Sequence, residues 1–337
     1  MRAAVFAEVG RVAVEERPAP AREEPTDVVL DIEACGICGT DLQILGVPPG
    51  HPATVGVVLG HEFVGVVAEA AEGVGSPRPG DRVVVAPNVS CGRCAWCRRG
   101  LSNHCESFAT YGITRDGGLA PRARVRASAC HPIAAHVPAH LAALAEPLST
   151  VVHGAQVAGV FPGETVCVIG AGPVGLMFTA LLTLGGASVV VVEPAPRRAG
   201  LAAELGAVRV VDPVREEPRS ILLELTDGLG ADAVIDAVGS ELPTAIELAR
   251  KGGRIVVFGL NERARPEIAS AKITRNELTV VGSFVGQYVF PPAIRLLEQG
   301  RLDLDPLVTH RIRVDDLSGA LEDLRGGRAV KVEVEFP

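Results

Sequence analysis

Residues 165–193 read TVCVIGAGPVGLMFTALLTLGGASVVVVE and carry no charge before the last residue. The stretch is long enough for a membrane helix, which needs about 20 consecutive apolar residues. Glycines and a proline interrupt it and separate a β-branched segment at residues 166–169, a glycine-rich turn, an apolar segment of helix length and a valine-rich segment at residues 189–192. This pattern predicts a strand, a turn, a helix and a second strand, with the strands covered on both faces.

The glycine-rich turn has the spacing G-x-G-x-x-G. Its candidate cofactor-binding residues are Gly170, Gly172, Pro173, Val174 and Gly175. Glycines in such a turn let the backbone approach a pyrophosphate, and the amides at the start of the following helix can bind it. A tight turn that binds no ligand is the alternative.

Glu193 ends the second predicted strand, where a carboxylate can accept hydrogen bonds from the adenosine ribose of a dinucleotide. The same carboxylate would repel the 2′-phosphate of NADP, which favours NAD. Arg197 and Arg198 follow closely and could accommodate that phosphate, so NADP is the alternative. We predict a dinucleotide site that includes the turn, Glu193 and Arg198.

The chain around this turn alternates strand-length and helix-length segments. The predicted strands are residues 166–169, 189–192, 208–211, 233–236, 255–258 and 278–281. Predicted helices, such as residues 197–205 and 244–250, lie between them. Strands connected by helical crossovers predict a doubly wound parallel sheet, and therefore an α/β domain.

The chain before this domain has a different pattern. Short β-rich runs at residues 27–32, 56–70 and 82–86 are separated by turn signals such as Pro79-Gly80-Asp81, which predicts an all-β body. After Gly282 the pattern is mixed, with a predicted helix at residues 292–299 and a predicted strand at residues 330–336. This tail could return to the first domain.

The composition limits the possible partners. Of 337 residues 47% are hydrophobic, and the formal net charge is −8. We expect a soluble globular protein whose main partner is neither nucleic acid nor an anionic membrane. Glu8 interrupts the N-terminus before a secretory hydrophobic region could form, and the cysteine usage suits a reducing compartment, so we expect a cytoplasmic location.

Four cysteines form a cluster with the spacing C-x2-C-x2-C-x7-C, namely Cys91, Cys94, Cys97 and Cys105. Four thiolates at this density fit a closed tetrahedral zinc site that leaves no position for substrate, so the predicted role is structural. Such a site would stabilise a loop with little hydrophobic core of its own. An iron–sulfur centre and free thiols are the alternatives.

A second candidate metal site begins at the C-x-x-C pair of Cys35 and Cys38. A redox dithiol of this spacing would lie at the start of a helix in a βαβ unit, whereas this pair ends a β-rich segment. His61 and Glu62 follow in a separate segment, and a thiolate, an imidazole and a carboxylate form a catalytic type of zinc site. A lone cysteine or histidine is more often structural, so the residues alone leave both interpretations open.

Five segments, in this order, resemble the zinc-dependent medium-chain dehydrogenases/reductases, and most closely their polyol dehydrogenase branch, which includes sorbitol, threonine and glucose dehydrogenases. They are GICGTD at 36–41, GHE at 60–62, the four-cysteine cluster, EPL at 146–148 and the glycine-rich turn. The resemblance implies a GroES-like β-barrel catalytic domain at residues 1–149, completed by residues 287–337. It also implies a Rossmann NAD-binding domain at residues 150–286, with catalytic zinc in the cleft between the two.

The resemblance also implies site residues. Cys38 and His61 would be zinc ligands, and Glu62 a direct or exchangeable ligand. Glu146 would hold the fourth position directly or through the zinc-bound water. Asp41 would orient His61 as a carboxylate that does not itself bind the metal. Of the C-x-x-C pair, only the second cysteine would then take part in the chemistry.

The expected reaction is hydride transfer from an alcohol to nicotinamide, with zinc stabilising negative charge on the alcohol oxygen. The hydroxyl of Thr40 can receive the alcohol proton. In many relatives a histidine five residues after the ligand cysteine continues this proton path, but this chain has Gln43, whose amide has no useful pKa. The proton would leave through the zinc-bound water, Glu62, Glu146 or another group such as His51.

We therefore expect an NAD-dependent dehydrogenase of a secondary alcohol on a sugar, polyol or (amino)cyclitol. Some sugar-oxidising relatives also lack the relay histidine, which supports a polyhydroxylated substrate. Sorbitol dehydrogenases tend to carry an Arg-aromatic pair where this chain has Gln287 and Tyr288, which argues against sorbitol itself. The alternatives are a threonine-type or other amino-alcohol dehydrogenase and a non-catalytic cofactor-binding sensor of the same fold. The branch is commonly tetrameric, so we expect a homo-oligomer, either a tetramer or a dimer.

Overall fold

The computed structural model describes residues 1–286 and 288–337. Gln287, one of the two residues that argued against sorbitol, lies outside the described residues. The chain forms two compact units: Met1–Ser149 with Gln287–Gly300 and Val308–Pro337, and Thr150–Gly286 with Arg301–Leu307. The predicted division assigned all of residues 287–337 to the first domain, whereas Arg301–Leu307 group with the second unit.

The first unit consists mainly of strands, whereas strands and helices alternate in the second. The strands are β1 (Arg2–Glu8), β2 (Arg11–Glu16), β3 (Asp27–Ile37), β4 (Glu62–Ala70), β5 (Arg82–Val85), β6 (Asn88–Val89), β7 (Ala109–Thr110), β8 (Arg122–Arg126), β9 (Cys130–Pro132), β10 (Thr165–Ile169), β11 (Ser188–Val192), β12 (Arg209–Val211), β13 (Ala231–Asp236), β14 (Ala249–Val257), β15 (Thr279–Gly282), β16 (Val308–Ile312) and β17 (Lys331–Glu335). The helices are α1 (Gly39–Ile44), α2 (Ala139–Ala142), α3 (Ala145–Ala158), α4 (Pro173–Leu184), α5 (Pro196–Glu204), α6 (Pro218–Leu225), α7 (Leu242–Leu248), α8 (Ser270–Arg275), α9 (Phe290–Glu298) and α10 (Leu317–Arg325). Short 3-10 helices lie at Cys97–Arg99, Ser102–His104, Ala127–Ala129, Asp305–Leu307 and Val314–Asp316.

The first unit is built on a seven-stranded sheet in the order β16-β17-β3-β4-β5-β9, with β8 also paired to β3. Strand β3 is antiparallel to β4, β8 and the C-terminal strand β17. Its apolar side chains join a core with those of neighbouring strands, and Leu30, Phe63, Val83 and Val332 are each at most 1% exposed. Because β3 is long and paired along both edges, its C-terminal end is held firmly in the sheet.

The second unit contains a six-stranded parallel sheet in the order β12-β11-β10-β13-β14-β15. The chain starts at the central strand β10, runs outward to one edge, returns, and runs outward to the other edge. This order is that of a doubly wound dinucleotide-binding domain. Val190, Val211, Val234 and Ile255 are each at most 1% exposed in its core. The predicted α/β fold class is therefore confirmed.

The uncharged stretch at residues 165–193 folds as predicted into β10, α4 and β11. In the described part of the chain, no helix is both long enough and apolar enough to cross a membrane. Several predicted boundaries were wrong. The strands expected at residues 27–32 and 255–258 extend over Asp27–Ile37 and Ala249–Val257. The helix expected at residues 244–250 ends at Leu248, because Ala249 already pairs with Ala231 in the parallel sheet. The strand expected from residue 56 begins only at Glu62, because Gly60 has a φ of +89°, which breaks the extended backbone.

Candidate functional site

The second cysteine of the C-x-x-C pair lies where a strand meets a helix. Strand β3 ends at Ile37 and α1 begins at Gly39, so Cys38 occupies the N-cap position between them. The Cys38 amide donates a hydrogen bond of 2.8 Å to the Asp41 carboxylate, which fixes the turn. Cys35 lies within β3 with no exposed surface, and burial, aided by the charge of Glu333, raises the pKa of its thiol well above the usual value. Of the pair, only Cys38 is placed to bind a metal.

A cysteine, a histidine and a carboxylate come together at this point. The ligand atoms of Cys38, His61 and Glu62 all lie within 4.8 Å of one another. The sheet brings them together, because β4 pairs with β3 so that Glu62 lies opposite Gly36. His61 is 5% exposed and Glu62 is 1% exposed. Their spacing and donor types fit a mononuclear zinc site.

The surrounding charges affect His61 strongly. Burial alone lowers the pKa of His61, but the charges of Cys38 and Asp41 outweigh it and raise that pKa well above its usual value. His61 Nδ1 and Asp41 Oδ1 are 3.9 Å apart, too far for a hydrogen bond. Among the described residues neither atom has a hydrogen-bond partner. Asp41 therefore acts on His61 through its charge and holds Cys38 through its other oxygen.

Glu146 lies in the first turn of α3 and is 8% exposed. Burial raises the pKa of its carboxyl to about 7, with the charge of Glu62 adding and that of His61 opposing. Its ligand atoms do not belong to the group of three that lies within 4.8 Å. The charge of Glu146 thus acts on the cluster, although its carboxylate lies farther away than the other proposed ligands.

The cluster suits a divalent cation on the grounds of charge. Four acidic groups interact electrostatically around the imidazole of His61, namely Cys38, Asp41, Glu62 and Glu146. Three of these four are nearly fully buried. A buried group of acids is stable only if cations compensate it. Thiolate, imidazole and carboxylate are the donors that catalytic zinc sites use, with a further position open to substrate. The residues present therefore fit zinc.

Two charged residues at the site were not singled out by the sequence. Lys331 and Glu333 lie on β17 and are 2% and 0% exposed. Lys331 Nζ donates a hydrogen bond to Glu62, and burial by itself lowers the pKa of Lys331, but the carboxylates of Glu62 and Glu333 raise it above its usual range. The available signal was the alternation of charges and valines in residues 330–335, which read VKVEVE. That pattern is equally typical of a strand with one solvated face.

Of Thr40, Gln43 and His51, it is Thr40 that adjoins the cluster. Thr40 Oγ1 accepts a long hydrogen bond of 3.7 Å from Cys38 Sγ, so this hydroxyl adjoins the cluster. Gln43 is near the end of α1, where its backbone carbonyl accepts hydrogen bonds from Gly46 and Gly50. His51 Nδ1 lies 2.8 Å from the carbonyl oxygen of Pro52. That contact assigns His51 to its own loop.

The four cysteines of the cluster form a second candidate metal site. The sulfur atoms of Cys91, Cys94, Cys97 and Cys105 all lie within 4.8 Å of one another, and no disulfide joins them in the described chain. The short strands β6 and β7 pair at the base of this loop. Most side chains between them are exposed, including Trp96 at 40%. A metal therefore has to replace the missing hydrophobic core.

Backbone amides donate hydrogen bonds to the sulfur atoms, which favours binding of a cation there. The amides of Cys91 and Ser107 donate to Cys105 Sγ at 3.2 and 3.3 Å, and the amide of Cys94 donates to Cys91 Sγ at 3.3 Å. A hydrogen bond from the Cys97 amide lowers the pKa of Cys94 to about 6. Partial burial and the adjacent Cys94 raise that of Cys97 to about 11. Four thiolates repel one another, so their joint deprotonation requires a metal at the centre.

The glycine-rich turn follows β10 and begins α4. Gly170 has a φ of +92°, which other residues rarely adopt, and it turns the chain sharply from strand to helix. Gly172 is the N-cap of α4, without a side-chain cap, and a Cβ atom there would meet nothing within 4 Å. The first amides of α4 are therefore left for an anion, as in dinucleotide sites. The turn fits a pyrophosphate.

Glu193 lies beside this turn and is 2% exposed. Its Oε2 accepts a hydrogen bond of 2.8 Å from the Ala171 amide, and its Oε1 accepts one of 2.8 Å from the Ala195 amide. Arg198 forms an ion pair with Oε1 at 2.7 Å. A carboxylate can accept about four hydrogen bonds, so one position is left for a ribose hydroxyl. Arg198 is thus engaged by Glu193.

Comparison with known proteins gives matches to two family models. Residues 24–135 match the alcohol dehydrogenase GroES-like domain. Residues 173–299 match the zinc-binding dehydrogenase model. The first contains Cys38, His61 and the four-cysteine cluster, and the second begins at Pro173 in the glycine-rich turn.

Curated relatives and solved structures match over nearly the whole chain. The chain is 35% identical to D-altritol 5-dehydrogenase of Agrobacterium fabrum over 94% of either protein. It is 34% identical to L-threonine 3-dehydrogenase of Caldanaerobacter subterraneus subsp. tengcongensis over 91% of either protein. A crystal structure of a zinc-binding dehydrogenase from Sinorhizobium meliloti 1021 bound to NADP has a TM-score of 0.93 and 33% identity, and the match covers 99% of both chains.

We predict that Cys97→Ser removes the metal from the four-cysteine cluster. The loop should then lose its order, because few buried side chains hold it in place. Zinc counted by atomic emission should fall by one ion per chain, and trypsin should cut at the arginines of residues 93–99 much faster than in the wild type. Cys130→Ser is the matched control and should change neither result. Unchanged zinc content, or iron in its place, would contradict the assignment.

We also predict that Glu193→Gln shifts cofactor preference towards NADP. The amide can keep the contact with the Ala171 amide, but it removes the charge that repels a 2′-phosphate and releases Arg198 to bind it. A hydrogen bond to a charged group contributes about 1.5–3 kcal/mol, so the ratio of kcat/KM for NADP to that for NAD should rise roughly tenfold or more. Glu204→Gln, exposed on α5, should leave the ratio unchanged. An unchanged ratio in Glu193→Gln would remove Glu193 from the cofactor site.

Proposed function

The chain belongs to the zinc-dependent medium-chain dehydrogenases, and from this premise we propose that it oxidises a secondary alcohol of a polyol, sugar or (amino)cyclitol with NAD. It is an NAD(P)-dependent zinc enzyme, as its family is. The observation that carries the proposal is the buried group of Cys38, His61 and Glu62, in which a thiolate, an imidazole and a carboxylate meet. A member of this fold without catalytic function would have no need to keep such a group.

We assign the parts of the reaction to named side chains. Cys38, His61 and Glu62 would hold catalytic zinc, with the carboxylate of Glu146 as a more distant fourth ligand. Zinc supplies Lewis acidity there, which favours loss of the alcohol proton and release of hydride. Asp41 keeps Cys38 oriented through its amide contact. The low exposure of His61 and Glu62 keeps water from weakening these electrostatic effects.

Thr40 is the proposed first acceptor of the alcohol proton. Its hydroxyl adjoins Cys38 and can both accept and donate a hydrogen bond. The relay histidine of many relatives is absent at Gln43. His51 contacts the carbonyl oxygen of Pro52 in its own loop, which gives no support to a role in the relay. Glu146 is the better candidate for the next step, since its pKa of about 7 lets it exchange protons near neutral pH.

The cofactor would lie with its pyrophosphate on the turn of Gly170, Gly172 and Gly175 and with Pro173 and Val174 at the start of α4. Glu193 would accept from the ribose. Because Arg198 is paired with Glu193 at 2.7 Å, the proposed cofactor is NAD. A neighbour of similar structure is bound to NADP, so both cofactors have to be tested.

The substrate class is supported by two relatives. D-altritol 5-dehydrogenase and L-threonine 3-dehydrogenase act, by their names, at a carbon inside the substrate chain. A secondary alcohol is what the two have in common. Gln43 in place of the relay histidine favours a polyol or sugar, and the similarity to the threonine enzyme makes an amino alcohol the second candidate.

We further propose that the protein is a cytoplasmic homo-oligomer, a tetramer or a dimer, that acts on a small molecule without nucleic acid or membrane partners. The net charge of −8 supports the absence of polyanionic partners. The free cysteines of the described chain suit a reducing compartment. Sedimentation equilibrium of the zinc-loaded protein would test the oligomeric state.

The proposed function is tested by NADH formation from a panel of sugars, polyols, cyclitols, their amino derivatives and L-threonine, on protein whose zinc content has been counted. We expect oxidation of a polyhydroxylated secondary alcohol, with NAD preferred. Reduction of the matching ketones with NADH tests the reverse direction. Turnover of L-threonine alone would establish the second candidate, and no turnover in either direction with full zinc occupancy would contradict both.

Thr40→Val gives a sharper test of the proton path. Valine keeps the shape of threonine but has no hydroxyl, so kcat should fall by about 100-fold or more. Thr40→Ser restores the hydroxyl and should retain most of the activity. Both variants should bind as much zinc as the wild type, which shows that the metal site is intact. Equal kcat values for the valine and serine variants would mean that another group accepts the proton.

A further inference from the structure

Three strands place two carboxylates on either side of a glycine. Glu333 on β17 lies opposite Gly36 on β3, and Gly36 lies opposite Glu62 on β4. Residues directly opposite one another point to the same face of a sheet. Glu333 and Glu62 therefore face the same space above Gly36.

The ammonium group of Lys331 fills this space. Lys331 precedes Glu333 by two residues on β17 and so lies on the same face. Its Nζ donates a hydrogen bond to Glu62 Oε2 and another, of 3.0 Å, to the Ile37 carbonyl oxygen. A Cβ atom on Gly36 would lie 2.9 Å from Lys331 Nζ and 3.0 Å from Glu333 Oε1. Only glycine leaves room for the three charged groups.

Glu333 is the member of this group whose position lacks an explanation. It is 0% exposed, and among the described residues neither of its carboxylate oxygens has a hydrogen-bond partner. A buried carboxylate without a partner is costly and persists only for a reason. Lys331 has three N–H donors, and its contacts with Glu62 and Ile37 use two of them. The charge of Glu333 acts on Lys331 without a hydrogen bond between them, and one N–H of the ammonium group is left for this carboxylate.

We propose that Lys331 and Glu333 control how strongly Glu62 binds the catalytic metal. When Lys331 pairs with Glu62, as in this structure, the ammonium charge offsets that of the carboxylate and weakens its bond to the metal. When Lys331 pairs with Glu333, Glu62 keeps its full charge for the metal. The ammonium group moves between two carboxylates, so the exchange needs no change of protonation. Lys331 and Glu333 are positioning residues that act through Glu62, and the inference rests on the zinc site proposed for Cys38, His61 and Glu62.

Two variants should change metal retention in opposite directions. In Glu333→Gln, Lys331 has no competing carboxylate and stays on Glu62, so the bond from Glu62 to the metal is weakened. The double variant Lys331→Met with Glu333→Gln removes one charge of each sign and leaves Glu62 free to stay on the metal. Changes to groups that support metal ligands alter affinity by about 10–100-fold. We expect release of catalytic zinc to become about tenfold faster in the single variant and about tenfold slower in the double variant.

The measurement is the rate of zinc transfer from the full-length, zinc-loaded protein to an excess of a coloured chelator. His61→Ala should lack one kinetic phase, which identifies that phase as the catalytic ion. Glu335→Gln is the matched control, because Glu335 lies on the same strand but is half-buried and 3.7 Å from Arg311. It should release zinc at the wild-type rate. As a second readout, the visible spectrum of the Co²⁺-substituted protein should differ between the single and the double variant, since Glu62 would be a weaker donor in the first than in the second.

Faster release in both variants would show only that the site had been weakened, and would overturn the proposal. Unchanged rates in both would also overturn it. A wild-type protein that binds zinc only at the four-cysteine cluster would overturn this inference together with the proposed metal site. If the catalytic ion is present and the two variants differ as expected, the inference stands even if no polyol in the panel is oxidised, so the two proposals can fail separately.

Discussion

The pairing of β3 with β4 and β17 is the constraint on which the candidate active site depends. It sets Gly36 between Glu62 and Glu333 and places Cys38 beside His61 at the end of the strand. A shift of one residue in either pairing would turn these side chains to the opposite face and separate the charges. The length of β3 and its pairing along both edges resist such a shift, so an ordinary hydrophobic sheet supports a cluster of charges that would be unfavourable by itself.

The two candidate metal sites of the first unit differ in what a metal would supply. At the four-cysteine cluster a metal would replace a hydrophobic core, since most of the loop is exposed and backbone amides already point at the sulfur atoms. At Cys38, His61 and Glu62 the core is complete, and the problem is an excess of buried negative charge next to one imidazole. The first arrangement closes the metal off with four thiolates, whereas the second uses mixed donors that allow a free position.

In the second unit, the candidate dinucleotide site is formed by the backbone more than by side chains. Gly170 turns the chain, the uncapped start of α4 offers amides, and Glu193 ties the turn to the end of β11 through Ala171 and Ala195. A glycine spacing and one acidic residue determine nearly the whole geometry of this turn. The motif could therefore be recognised from the sequence. The family and the fold class inferred from such motifs are confirmed by relatives of 34 and 35% identity over nearly the full chain, while the roles of individual site residues stay predictions.

The sequence by itself determined the doubly wound sheet, the dinucleotide turn, the four-cysteine cluster and the family, because each depends on residues close together in the chain or on motifs in a fixed order. It missed Lys331 and Glu333, since their alternation with valines is also typical of a strand with one solvated face. It implied through the resemblance that Asp41 orients His61, and in the structure His61 Nδ1 and Asp41 Oδ1 are 3.9 Å apart. Only the tertiary structure decided these points, because the burial of a charge and its partner depends on which strands pair and in which register. The contact of Lys331 with Glu62 joins residues 269 positions apart in the chain, a distance over which no local pattern carries information.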